Sequence, residues 1–141
     1  MLELSADYIL AVAEQLSFVS AFLGGLSATI LFTLVVFISP QKSVSWIVSF
    51  SALAACSLLI AVVAAWRLSI LLHPSLPFPA ETALIKVLWH GMLTGYVLGF
   101  LSLLISIGLA GWLRSKRDGM ITSAIALLAL VFFVLATPFG F

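Results

Sequence analysis

Four long apolar runs, separated by short polar connections, make up most of this 141-residue chain. They cover approximately Leu16–Ser39, Ser45–Leu72, Leu84–Leu113 and Met120–Phe141. A helix needs about 20 apolar residues to cross a hydrocarbon core about 30 Å thick, and each run is long enough. Charged residues are only 8% of the chain, whereas about 25% is usual in soluble domains. The sequence therefore predicts an all-α polytopic integral membrane protein, with four transmembrane helices in one domain.

The segments between the runs predict how the helices are connected. Residues 1–14 are mixed in polarity and favour a short interfacial helix that continues into the first span. A proline in the connection Ser39–Lys42 stops the first helix. Three prolines in His73–Pro79 favour an extended second connection, and Arg114–Gly119 is a short basic turn. Because the first acidic residues precede any basic ones, a cleavable signal peptide is not expected.

The basic residues predict the orientation of the chain in the membrane. Connections one and three hold four of them, whereas two flank connection two. The positive-inside rule then places connections one and three in the cytoplasm and both termini outside. The short connections favour a prokaryotic inner membrane. Four tryptophans near the expected span ends fit an aromatic belt at the lipid headgroups; they are Trp46, Trp66, Trp89 and Trp112.

Glycines mark the faces on which we expect helices to approach closely. Gly24 and Gly25 belong to a small-residue face of span one, and Gly91, Gly95 and Gly99 recur every four residues in span three. Small residues allow close backbone contact, which drives helix association in lipid. These faces predict packing inside one bundle, with contact between separate subunits as the alternative.

Few polar side chains lie within the runs, and each has a structural interpretation. Arg67 is expected either to extend its side chain to the interface or to pair with Glu81 or an acidic residue of the N-terminal helix. His90 is expected to form an interfacial or interhelical hydrogen bond, and with His73 it gives only a weak signal for haem or metal. Cys56 is expected to be a buried, inert thiol.

The same scarcity of polar groups narrows the function classes. The sequence contains no nucleophile–base pair, phosphate-binding glycine loop or metal-ligand cluster, so we expect no enzyme activity, cofactor or metal site. A net charge of +1 gives no electrostatic reason to bind nucleic acid. The expected partners are the lipid bilayer, further copies of the chain and small ions.

Three short segments of the chain resemble the Orai calcium-channel family. Ser20–Gly25, Phe50–Ala52 and Leu72–Pro74 match the first two helices of that family in order and spacing. A looser similarity to its third helix involves Trp89, Leu98–Phe100 and Trp112. The resemblance implies an oligomer in which span one surrounds a central pore.

The positions matching the family's pore lining form one stripe on span one; they are Phe18, Phe22, Leu26, Thr29 and Thr33. Thr33 stands where the family has its selectivity glutamate, and Phe18 stands near its basic pore segment, so calcium selectivity is not implied. Glu14, one turn before the stripe, is either the water-facing start of the span or a cation-binding carboxylate at the mouth of a pathway.

We therefore expect a channel-like homo-oligomer whose pore is lined by span one. One alternative is a small proton-coupled transporter using Glu14, since the small multidrug-resistance exporters also have four short spans and a glutamate in the first. The other alternative is a non-conducting structural or regulatory membrane subunit.

Overall fold

A computed structural model describes residues 6–37, 42–73 and 82–136 as helices joined by short connections. The helices are α1 (Ala6–Phe37), α2 (Lys42–Leu71), α3 (Thr82–Ala110) and α4 (Lys116–Ala136), with a 3-10 turn at Gly111–Leu113. Each of the four helices is long and apolar enough to cross a membrane. The all-α, four-span fold class is therefore confirmed. The described part of the predicted interfacial segment, residues 6–14, continues into the first span, because α1 is one continuous helix.

The helices are arranged around α2, which packs against α1 on one side and against α3 on the other. The α4 helix packs against α3 and the 3-10 turn. Contacts near both ends fix the antiparallel register of α1 and α2. Ala13 clusters with Ala65, and Leu34 clusters with Ile47. The three helices α1, α2 and α3 thus share one core, and α4 is attached to its outside.

The buried face of α2 repeats at alternating intervals of three and four residues. The residues at this spacing are Val44, Ile47, Ser51, Ala54, Leu58, Ala61, Ala65 and Leu68, and Ser57 and Ala64 beside them are buried as well. This heptad spacing is the pattern that keeps one seam of a helix facing its partners over many turns. It explains how a single helix can contact two neighbours along its whole length.

The facing residues on α1 and α3 repeat with the same period and are mostly small. On α1 the buried residues recur every seventh position, and they are Ala13, Ser20, Ser27 and Leu34. On α3 the residues at this spacing are Met92, Gly95, Gly99, Ser102 and Ser106, and Leu103 and Gly108 are buried as well. Small side chains let the backbones approach, which is the main source of helix association where lipid is the solvent.

Large apolar side chains lie on the outside of the fold instead. On α4, for example, Leu128, Phe132 and Leu135 are each more than 70% exposed. Most large side chains on the outer faces of α1 and α2 are exposed in the same way. Such a surface is unstable in water but matches hydrocarbon tails, so its composition fits an integral membrane protein.

The α3–α4 connection is a tight helical hairpin. The Ser115 hydroxyl accepts a hydrogen bond from the Asp118 backbone N–H at 3.0 Å, which caps the start of α4. Asp118 also forms an ion pair with Arg114 at 3.6 Å. Gly119 lies beneath the Trp112 indole, where a Cβ would come within 2.5 Å of the ring. The missing side chain therefore lets the helices meet closely at this end.

Candidate functional site

The side chains predicted to line a pore lie together on the outward face of α1. Phe18 and Phe22 are 76% and 68% exposed, and Leu26 is also exposed. Glu14, Thr29 and Thr33 are exposed as well. The opposite face of the same helix, which carries Ser20 and Ser27, is buried against the rest of the chain. We call the six outward residues the α1 stripe, and the chain's own helices leave this stripe uncovered.

The two threonines of the α1 stripe are hydrogen-bonded within their own helix. The Thr29 hydroxyl donates to the Gly25 carbonyl at 2.9 Å, and the Thr33 hydroxyl donates to the Thr29 carbonyl at 2.8 Å. A hydroxyl oxygen that donates its proton keeps lone pairs that can accept a hydrogen bond or face a cation. Both oxygens therefore retain ligand capacity on the exposed side of α1.

Three of the five predicted packing glycines face α2, two of them at Leu58 and the third one turn away. Leu58 is fully buried, and a Cβ on Gly24 of α1 would lie 3.5 Å from its Cβ. From the α3 side, a Cβ on Gly99 would lie only 2.5 Å from the Leu58 Cγ. One turn earlier, a Cβ on Gly95 would lie 2.8 Å from the Ser57 carbonyl oxygen. The mid-span contact between α2 and α3 thus requires glycine at positions 95 and 99, whereas a Cβ on Gly24 would make an ordinary van der Waals contact.

The other two predicted packing glycines face away from these contacts. A Cβ on Gly25 or on Gly91 would meet nothing within 4 Å among the described residues. Gly25 lies on the exposed side of α1, near the stripe, and Gly91 lies near the start of α3. Neither glycine is needed for close approach among the described residues.

Buried serines, which the sequence analysis did not single out, link the three core helices. The Ser27 hydroxyl of α1 donates to the Ser51 carbonyl of α2 at 3.3 Å. The Ser51 and Ser106 hydroxyls are 2.6 Å apart and join α2 to α3. The Ser20 hydroxyl is buried without a hydrogen-bond partner among the described residues. The seven-residue spacing of Ser20 and Ser27, in register with the α2 heptad, is the signal that could have revealed this network.

The charged groups near the other end of the helices test only part of the pairing suggested for Arg67. Arg67 is exposed and makes no ion pair with Asp7 or Glu14 in the described part of the chain. Glu81, the other suggested partner, lies outside the described residues. His90 is exposed, and its Nδ1 donates to the Lys86 carbonyl at 2.7 Å. This hydrogen bond is within α3 and does not join two helices.

The thiol of Cys56 lies on the surface of the chain, so its predicted burial was wrong. The heptad of α2 explains the difference, since Ala54, Ser57 and Leu58 occupy the buried face around it. A mid-span position implied burial only if the helix was covered on every side. Among the described residues, no three His, Cys, Asp or Glu side chains come together in a geometry that could hold a metal ion.

The fold and this surface define the class of the chain as a polytopic α-helical protein suited to a membrane. Comparison with protein-family models, with curated proteins and with solved structures finds no match for the chain. The similarity to the Orai family therefore remains a resemblance of short sequence segments, and the functional argument depends on the contacts described above.

Proposed function

We propose that several copies of this chain assemble with their α1 stripes facing a common axis, and that the assembly conducts small ions. The observation that supports this most is the uncovered α1 stripe. The α1 helix is bound to the rest of the chain through its small buried face, which leaves Phe18, Phe22 and Thr29 free for contact with further copies.

The length of the α1 stripe suits a membrane pore. From Glu14 to Thr33 the helix rises about 28 Å, at about 1.5 Å per residue. The hydrocarbon core of a bilayer is about 30 Å thick. A ring of such helices would therefore present this one face to the axis across nearly the full depth of the membrane.

The order of side chains along the α1 stripe suits cation entry, a gate and a second polar zone. A ring of Glu14 carboxylates at one end would concentrate cations. Rings of Phe18, Phe22 and Leu26 would form an apolar constriction of the kind that closes by losing its water. Beyond it, the free lone pairs of Thr29 and Thr33 would offer oxygens to a partly dehydrated ion.

The packing inside a single chain favours a pathway between copies over one within the chain. Leu58 fills the middle of the α1–α2–α3 core, and Gly24 and Gly99 bring the neighbouring backbones against it. An ion would have to displace these direct contacts to pass through one chain. A path along the axis of an oligomer needs no such rearrangement.

A flux assay in liposomes tests the proposal. Purified protein is reconstituted, and cation flux is followed over a range of voltage and pH for the wild type and for Phe22→Ala. Removing a gate side chain is expected to raise flux, because a wider and less apolar constriction stays hydrated. The matched control is Phe132→Ala, which truncates an equally exposed ring on α4 and is expected to leave flux unchanged.

Several outcomes count against the channel. Absence of flux in the wild type and in Phe22→Ala under every condition, with oligomers present, would reject it. Equal effects of Phe22→Ala and Phe132→Ala would show that α1 does not line the path. Glu14→Gln separates the channel from a transporter: it is expected to weaken cation preference in a channel but to abolish proton-coupled uptake in a transporter.

A non-conducting structural or regulatory subunit is the second candidate, and the closed core around Leu58 favours it. Such a protein would use its uncovered helix faces to hold a larger membrane partner. It predicts that the chain, isolated in mild detergent, is monomeric and without flux, and that it copurifies with a different membrane protein. Homo-oligomers with measurable flux would exclude this candidate.

We further propose that the chain lies in a prokaryotic inner membrane with the α3–α4 connection in the cytoplasm. The basic residues of that connection support this orientation. A Ser115→Cys variant in a Cys56→Ser background tests it. A membrane-impermeant maleimide is expected to label this cysteine only after the cells are opened, and labelling in intact cells would reverse the topology.

A further inference from the structure

An apolar groove of about 360 Å³ runs between α3 and α4 on the outside of the core. The residues that line it are almost all aliphatic, and they include Leu104, Ile105, Leu109, Ala126 and Leu127. Along α3 the lining extends from Leu101 to Leu109, which corresponds to about 12 Å of helix. That length is close to the depth of one leaflet of a hydrocarbon core about 30 Å thick.

The groove is bounded by contacts that keep α3 and α4 in a fixed relation. At one end the Thr122 hydroxyl donates to the Gly108 carbonyl at 3.1 Å. At the other end the rings of Phe100 and Phe133 stack with their centroids 4.5 Å apart. The space between the two helices is therefore formed by the fold itself, before any ligand binds.

One end of the groove is polar and lies next to the basic connection. Ser123 lines the groove, and its hydroxyl accepts a hydrogen bond from the Trp112 indole N–H at 3.1 Å. An indole held in this way is typical of the headgroup level of a membrane. Lys116 and Arg117, in the first turn of α4 about 10 Å of helix before Ser123, are exposed.

The charge of this end is positive overall. Three of the chain's six basic residues fall within the four positions 114–117. Arg114 is engaged by Asp118, at 3.6 Å. Neither Lys116 nor Arg117 forms an ion pair within the described residues. An anion with a long apolar chain would match both parts of this surface, the groove and its basic end.

We propose that the α3–α4 groove is a binding site for an anionic phospholipid, with one acyl chain along the groove and the phosphate at Lys116 and Arg117. Basic clusters at the headgroup level beside a cleft between transmembrane helices are suited to such lipids. A second copy of the chain fits this groove less well. An apolar helix of another copy, seated in the groove, would leave Lys116 and Arg117 without an anionic partner.

Native mass spectrometry of the full chain tests the site. The protein is released from micelles containing equal amounts of phosphatidylglycerol and phosphatidylcholine, and the lipids retained are counted. The wild type is expected to keep one phosphatidylglycerol per chain. Replacing both Lys116 and Arg117 with Gln is expected to lower the preference for this lipid roughly 30-fold, about fivefold for each charge removed. The matched control replaces Arg67 and Lys86 with Gln, near the other ends of the helices.

A second pair of variants tests the acyl-chain half of the site. Ala126→Leu fills the groove and is expected to remove the retained lipid while leaving the basic residues intact. Ala124→Leu adds the same volume on an exposed part of α4 outside the groove and is expected to retain the lipid. Helical circular dichroism of each variant checks that the fold is preserved.

Quenching of Trp112 fluorescence gives an independent measurement, in a variant where the other three tryptophans are Phe. Phosphatidylglycerol brominated on its acyl chains is expected to quench this indole more strongly than brominated phosphatidylcholine. The proposal fails if both lipids are retained and quench equally. It also fails if Ala126→Leu keeps the lipid as Ala124→Leu does, because then only surface charge attracts it. Recovery of a second protein chain in place of lipid would likewise overturn it.

Discussion

Gly99→Ala is the substitution that most directly tests the packing of the core. The new Cβ would lie 2.5 Å from the Leu58 Cγ and 2.9 Å from its Cδ2. Carbon atoms in contact are normally about 3.5–4.0 Å apart, so this contact must open by roughly 1 Å. Leu58 is fully buried and meets Gly24 on its other side, so it has no free space to move into. The shift must be taken up by α2 and α3 moving apart.

The size of the effect follows from two opposing contributions. Overpacking of a well-filled core usually destabilises by about 1–3 kcal/mol. Replacing glycine by alanine inside a helix stabilises it by about 0.5–1 kcal/mol, because alanine loses less backbone entropy on folding. Taking the middle of each range, we expect Gly99→Ala to lower the free energy of unfolding by about 1 kcal/mol. Gly91→Ala, whose Cβ meets nothing within 4 Å among the described residues, is the control and is expected to be neutral or stabilising.

Unfolding by sodium dodecyl sulfate in mixed micelles, followed by circular dichroism, measures these differences. A double-mutant cycle with Leu58→Ala locates the effect, because shortening the leucine removes its Cγ and Cδ2. In that background Gly99→Ala is expected to lose most of its penalty, with a coupling energy of about 1 kcal/mol or more. The reasoning is refuted if Gly99→Ala is as stable as the wild type, or if its penalty is the same in both backgrounds.

Three further predictions concern the serine network and the α3–α4 hairpin. Ser51→Ala and Ser106→Ala should each destabilise the fold by about 0.5–1.5 kcal/mol by leaving one buried hydroxyl without its partner, and the double variant should lose less than the sum in the same titration. Gly111→Ala should destabilise the hairpin by about 1–3 kcal/mol, because its Cβ would lie 2.8 Å from the Asp118 carbonyl oxygen. Ser115→Ala should remove the cap of α4 and lower stability by about 1 kcal/mol, seen as faster amide hydrogen exchange in its first turn.

Each of these predictions has a control and an outcome that opposes it. Ser49, whose hydroxyl is bonded to its own helix, serves as the control for the buried serines, and equal losses at Ser49 and Ser51 would contradict the network. For Gly111, unchanged stability would show that the hairpin can open without penalty. For Ser115, a threonine at the same position should preserve the cap, so protection lost in both variants would point to another cause.

The number and approximate extent of the helices could be predicted because bilayer thickness imposes a length on each apolar run. The α1 helix begins at Ala6, ahead of the first apolar run, since nothing in Asp7–Glu14 stops a helix. The apolar runs could be identified from composition alone. Which side of each helix is buried could not be predicted, because in lipid the outward residues are as apolar as the inward ones.

Because the two sides of each helix are equally apolar, the sequence could not show which of the predicted glycines pack against another helix of the chain. Gly24 and Gly25 are adjacent and chemically identical, yet Gly24 meets Leu58 and Gly25 meets nothing within 4 Å among the described residues. The distinction depends on the register between α1 and α2. In the structure, buried residues of α2 follow a heptad from Val44 to Leu68, which the sequence conceals because the residues between them are also small or apolar. That pattern also places Cys56 on the outside.

The α1 stripe was predicted as a set, and its six residues share one outward face because their spacing of three or four residues follows the helix period. Its function as a pore lining stays a prediction. The buried serines were missed because hydroxyls within apolar runs carry no strong hydropathy signal, although their spacing matches that of the core.

The core of small residues beneath an apolar exterior has a thermodynamic consequence. When soluble proteins unfold, apolar surface enters water, and the heat capacity rises by about 12–15 cal/mol/K per residue. Separating α1, α2 and α3 within a membrane would instead transfer the core surfaces, from Ser20 to Leu58, into hydrocarbon and not into water. The heat-capacity change of that step should be small, so its free energy should vary almost linearly with temperature. The association of the helices should therefore have no stability maximum near room temperature, and the helices should not separate on cooling.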